Sequence, residues 1–117
     1  MAAAKQNLRI EQGATFRLSL QWIANTTPVN LTGYKARMQI RNKVSSPEFI
    51  YEMTTENGGI TFKDVEGGHI QLFISNVDTS SFAFDSAVYD LEFVAPNGDV
   101  TRLIEGKVTL SLEVTRD

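Results

Sequence analysis

Apolar and polar residues alternate with a period of two along most of this chain. Phe16, Leu18, Leu20 and Trp22 are separated by Arg17, Ser19 and Gln21. Tyr34, Ala36, Met38 and Ile40 alternate with Lys35, Arg37, Gln39 and Arg41. Ile70, Leu72 and Ile74 repeat the pattern, as do Tyr89, Leu91 and Phe93, and finally Val108, Leu110, Leu112 and Val114. Successive side chains of a strand point to opposite faces, so each run predicts a strand with one apolar face that another layer must cover. Shorter runs at Leu8–Gln12, Phe49–Thr55 and Ile60–Phe62 read as further strands. Pro96-Asn97-Gly98, between the last two long runs, is a strong hairpin signal.

Residues 76–84 lack the alternation. Asp78 followed by Thr79-Ser80-Ser81 reads as a cap on one short helical turn, with Phe82 and Phe84 tucked beneath the sheet edge. Turn residues recur roughly every 8–12 positions, the spacing of a β-sandwich. The expected fold is therefore an all-β, immunoglobulin-like antiparallel β-sandwich of about 7–9 strands, with at most one short helical turn near 78–84. Its expected core residues are Trp22, Tyr89, Leu91, Phe93 and Leu110, with Trp22 as the largest contributor on its strand. Asp85-Ser86-Ala87-Val88-Tyr89 also has the form of a tyrosine corner, in which the hydroxyl bonds back to nearby upstream backbone. Residues 1–7, small and polar, read as a flexible arm preceding a single sandwich domain over 8–117.

Composition narrows the picture without sharpening it. The chain has 117 residues, enough for one core; 42% are hydrophobic and 21% charged, which places it among globular domains. It has no cysteine, so neither disulfides nor thiolate metal sites hold it together. A net charge of −3 gives no general attraction to nucleic acid, which is not an expected partner. No apolar run is long enough to cross a membrane, and Met1–Lys5 lacks the apolar stretch of a signal peptide, so a soluble cytosolic product is expected.

No catalytic constellation is visible. His69, the only histidine, stands beside Gly67 and Gly68 at a strand start, and no Gly-x-Ser-x-Gly elbow is present. Asp64, Glu66, Asp78, Asp85 and Asp90 lack calcium-loop spacing. Asp90 and Glu92 share the outer face of one strand, which reads as a solvated face rather than a glycosidase pair. Expected catalytic, metal and cofactor sites are none, and an enzyme is not expected. The outward row Lys35, Arg37 and Arg41 is the one candidate partner-facing surface, with a charged sheet face paired to acids such as Glu92 as the plainer reading.

Four stretches resemble a known family: Pro28–Arg41, Thr54–Thr61, Val88–Glu92 and Pro96–Val108. In order and content they are similar to small tailed-bacteriophage and prophage structural proteins, including the amino-terminal immunoglobulin-like domain of the phage baseplate upper protein. The resemblance runs from about Leu8 to Thr115. It implies a non-enzymatic virion protein of the tail, baseplate or fibre-attachment region, assembled through its sheet edges and amino-terminal arm. It implies multiple copies per particle, partners among tail, baseplate, fibre or capsid subunits, and synthesis in a bacterial host's cytoplasm. In that family the domain joins a larger carboxy-terminal module. The chain ends at Asp117, which shifts the expectation towards a stand-alone adaptor, a capsid decoration or cement subunit, or a head-to-tail connector. A module binding host glycan or protein through its loops is the further alternative.

Overall fold

The alternating runs become the strands of two facing sheets. The computed structural model describes residues 3–115. Its elements are β1 (Ala4–Lys5), β2 (Leu8–Glu11), β3 (Phe16–Gln21), β4 (Ile23–Ala24), β5 (Thr27–Pro28), β6 (Lys35–Arg41), β7 (Tyr51–Thr54), β8 (Ile60–Asp64), β9 (His69–Ile74), α1 (Asn76–Ser80), β10 (Ser86–Val94) and β11 (Val100–Ser111). The larger sheet runs β1-β11-β10-β6-β7, with β2 also on β11; the smaller runs β3-β9-β8, and β4 and β5 form a separate ribbon. Nine strands thus build a β-sandwich, as expected, although β1 and β2 join β11 in parallel.

One apolar cluster runs between the sheets. Ala36, Met38 and Ile40 from β6, Leu91 and Phe93 from β10 and Val108 from β11 face Ile70, Leu72 and Ile74 from β9, all at most 2% exposed. Burying such side chains contributes roughly 1.5–3 kcal/mol each, which is what holds the sheets together without disulfides. Tyr89, Leu91, Phe93 and Leu110 lie in this core as expected. Trp22 is only half-buried: it closes one end of the sandwich, with its ring 5.0 Å from Phe93 and edge-on to Tyr34 at 5.8 Å.

Several local expectations are corrected. α1 is capped by Ser75, whose Oγ accepts the Asp78 N–H, so the cap lies three residues before the expected one and the helix runs from Asn76 to Ser80. The Asp78 carboxylate instead accepts from Tyr51 Oη at 2.5 Å. Leu112 and Val114 are exposed because β11 ends at Ser111, where its partner β2 ends at Glu11. Phe49 is also largely exposed, because β7 begins only at Tyr51.

The amino-terminal segment departs most from expectation. Residues 1–2 lie outside the described residues, but Ala4 and Lys5 pair with Ile104 and Glu105 of β11. Tyr89 donates its hydroxyl to Gln6 O at 2.6 Å. The tyrosine therefore ties down a segment 83 positions away rather than forming a local corner. Burial pushes the Tyr89 hydroxyl up from an ordinary value of 10.0 to about 12. The folded protein keeps this proton longer than the unfolded chain, so the stabilisation is complete below pH 10 and is lost as pH rises towards 12. Tyr89→Phe is expected to cost about 1 kcal/mol at neutral pH and to flatten the fall in stability above pH 10. Urea melts of both proteins between neutral and alkaline pH check this; an unchanged alkaline slope would show that Tyr89 is not the titrating tether.

Candidate functional site

The outer face of the larger sheet is a shallow open trough of about 870 Å³, into which the outward residues of β1, β6, β7, β10 and β11 project. Strand register sets those residues in rows. Glu52, Gln39, Asp90, Glu105 and Lys5 form one row across five strands, successive members being directly paired. On one side of it lies Arg37–Glu92–Arg102, and on the other Arg41–Val88–Lys107. The face therefore alternates cationic, acidic and cationic rows.

Arg102 reaches this face because of a bulge. Leu91 pairs with Ile104 but Glu92 pairs with Arg102, leaving Leu103 as the extra residue. A bulge shifts the inside–outside phase of its strand by one position. Without it Arg102 would point into the core. With it, Arg102 lies 3.4 Å from Asp90 and 3.1 Å from Glu105.

The electrostatics split the trough in two. Arg37 Nε donates to Glu92 at 3.0 Å, and Lys5 pairs with Glu105. Hydrogen bonds from Lys5 and then Arg102 hold the Glu105 carboxyl below its ordinary range. Burial, reinforced by Glu92, pushes Asp90 above its own. Arg41 is different. Its guanidinium donates to Ser46 O at 2.7 Å and to Gln39 Oε1 at 2.6 Å, and Gln39 in turn donates to Glu52 at 2.7 Å. Among the described residues neither Arg41 nor Lys107 takes part in an ion pair. They flank half-buried Val88, and Val44, with 87% of its surface exposed, also lines the trough.

Of the row Lys35, Arg37 and Arg41, the trough takes in Arg37 and Arg41, while Lys35 lies outside it, 3.9 Å from Glu56. Arg37 has the Glu92 partner that the plainer reading supplied. Lys5, Arg102 and Lys107 were not singled out in the sequence. Lys107 shared its strand's outward phase and was legible; Lys5 and Arg102 depend on β1 and the bulge. His69 is exposed at the start of β9, opposite Gln21 and Asp64. Among the described residues no group of three or more His, Cys, Asp or Glu side chains is arranged to hold a metal ion.

No family model and no curated protein matches the chain. Among solved structures 175 chains match, a breadth that fits an architecture shared by many unrelated proteins. One is CopC from Methylosinus trichosporium OB3b, with a TM-score of 0.50 and 12% identity, covering 94% of this chain and 90% of that one. At that identity the likeness establishes a common β-sandwich and carries none of CopC's own properties over to this chain. It also overturns the resemblance to phage proteins. The fold match over nearly the whole chain is to a protein of another kind, so the virion role, the virion location and the phage family do not stand. The quoted stretches were turns and core positions, which sandwich geometry imposes on unrelated sequences.

Proposed function

We infer that this chain is a non-catalytic recognition module that holds an acidic segment of a partner protein against the outer face of its larger sheet. The observation that carries this reading is the pair Arg41 and Lys107, two cations that flank Val88 on the strands either side of it and have no ion-pair partner among the described residues. With strands about 4.8 Å apart, their Cα atoms stand roughly 10 Å apart, a span that two carboxylates of an extended peptide can match. Arg41 is already fixed by Ser46 and Gln39, so it loses little side-chain freedom on binding. Val44 and Val88 offer apolar contact between and beside the charges.

The likeness to CopC raises copper handling as a second reading, since CopC is a copper-binding protein. The donor set here does not fit it. Copper favours imidazole, thiolate and thioether ligands. This chain has one histidine, no cysteine and three methionines. Met38 and Met53 are 1% and 0% exposed inside the core, far from a metal's reach, and Met1 lies outside the described residues.

The test is titration of the isotopically labelled protein with a hexaglutamate peptide, read by amide chemical shifts at low and physiological ionic strength. Shifts are expected around Arg41, Val88 and Lys107, with weak affinity that falls as salt rises. The double variant R41E/K107E is expected to bind roughly tenfold or more weakly. Absence of shifts, binding indifferent to the double substitution, or shifts with heparin but none with the peptide would overturn the reading.

A further inference from the structure

We propose that the free edge of β3 is a self-complementary interface through which two copies of this chain pair, joining their smaller sheets into one. Three independent observations point to it.

The first is an open seam in the core. On β9 the inward row Ile70, Leu72 and Ile74 is at most 1% exposed. On neighbouring β3 the corresponding row Phe16, Leu18 and Leu20 is only partly buried, although it packs on the same cluster. The smaller sheet has three strands against the five-strand path of the larger one, so its apolar interior is left uncovered along β3.

The second is the state of the edges. β11 is covered by β1 and β2. β7 has only four residues, and β8 carries an irregularity between Phe62 and Asp64 with Lys63 inside it. Natural sheets blunt their edges in these ways. β3 has six regular residues with no proline, glycine or bulge. Its one charge, Arg17, lies over the ring of Phe73 at 5.1 Å, held down on its own sheet. The Trp22 N–H donates to Gly68 O in phase with the β3–β9 pairs of Leu20, Leu18 and Phe16. Ladder alternation then turns the backbone N–H and C=O of Arg17, Ser19 and Gln21 towards the free side.

The third is that the residue pattern is symmetric about Ser19. An antiparallel pairing of β3 with β3 of a second copy, with Ser19 opposite Ser19, sets Leu18 against Leu20 and Phe16 against Trp22. On the other face it sets Arg17 against Gln21, so no like charges face each other. Side chains of one kind meet their own kind on the apolar face, and the backbone groups can form up to about six hydrogen bonds between copies. Such an interface is isologous and closes with two copies.

Sedimentation of the full chain over a concentration series reads the pairing. The wild type is expected to show a concentration-dependent dimer. Ser19→Lys and Ser19→Glu each place like charges face to face and are expected to remain monomeric, whereas an equimolar mixture should recover the dimer. Ser19 is exposed, so each variant is expected to keep the fold, and its circular dichroism spectrum is compared with that of the wild type as the control. A second arm uses the absence of native cysteine. Directly opposed hydrogen-bonded residues have Cα atoms about 5.5 Å apart, within disulfide reach. Ser19→Cys is therefore expected to cross-link on mild oxidation, and Thr61→Cys on the opposite edge is not. A wild type that stays monomeric throughout, a dimer indifferent to Ser19→Lys, mixing without recovery, or equal cross-linking at both positions would overturn the proposal.

Discussion

Phe93→Ala is expected to lower stability by about 3–5 kcal/mol, the largest effect of any single side-chain truncation in this fold. Phe93 is fully buried on β10, and its ring bridges the layers. It lies 6.0 Å from the ring of Phe62 on β8, nearly parallel at 18°, and 5.0 Å from the ring of Trp22 beyond the end of β3. Both neighbours are only half-buried and are attached to the smaller sheet, so removing the ring takes away the surface on which each is oriented. A cavity opened between two sheets cannot collapse by moving one side chain, because the layers are held apart by Leu91, Met38 and Leu72. Domains of this size have a total stability of roughly 5–15 kcal/mol, so the variant is expected to melt roughly 15 °C or more below the wild type. Phe93→Leu, which refills most of the volume, is expected to lose less than half as much. Thermal and urea melts of the three proteins decide it: a loss under about 1 kcal/mol for alanine would mean that the sheets are not joined through this ring.

The packing that makes Phe93 important was legible because strand alternation requires only the order of residues. Phe93, Leu91, Tyr89 and Leu110 could be placed in the core from the period alone. Other features depend on what a strand lies beside, and a period does not carry that. The alternation continues through Leu112 and Val114, yet those side chains are solvated because no strand remains beside them. Trp22 keeps the inward phase but stands at the mouth of the sandwich, where the covering layer ends. Ala4–Lys5 is too short to show any period, and its place on the sheet is set by contacts with residues about a hundred positions away. The candidate face was half-legible for the same reason. The outward phase of Arg37, Arg41, Asp90 and Glu92 could be read, whereas Arg102 joins them only through the unpaired Leu103. Turn and core signatures reflect architecture, and reading family from them led to the phage assignment that the fold comparison overturned.

Gly106→Ala is expected to detach the amino-terminal segment from the sheet while leaving the sandwich folded. Gly106 pairs with Tyr89 in the middle of β11. A Cβ at Gly106 would lie 2.4 Å from Gln6 O and 2.9 Å from Asn7 Oδ1. The nearest obstacle is backbone, which cannot swing aside as a long side chain does, so the segment itself must move. Moving it breaks the Gln6 N–H bond to Glu105 O at 2.9 Å, the Lys107 N–H bond to Asn7 Oδ1 at 3.0 Å and the Tyr89 bond to Gln6 O. It also frees Glu105 from Lys5. At about 1 kcal/mol for each hydrogen bond the loss is about 3 kcal/mol, three times that expected of Tyr89→Phe, which removes only one of the three. Trypsin cleavage after Lys5 should accelerate, and the amides of Gln6 and Lys107 should lose hydrogen-exchange protection while that of Leu91 keeps it. Gly98→Ala serves as the contrast, since a Cβ there meets nothing within 4 Å and only its φ of +95° is disfavoured, in a turn far from the segment. Equal protection at Gln6 in wild type and Gly106→Ala would show that the segment does not lie against β11, and with it would fall the tether that Tyr89 provides.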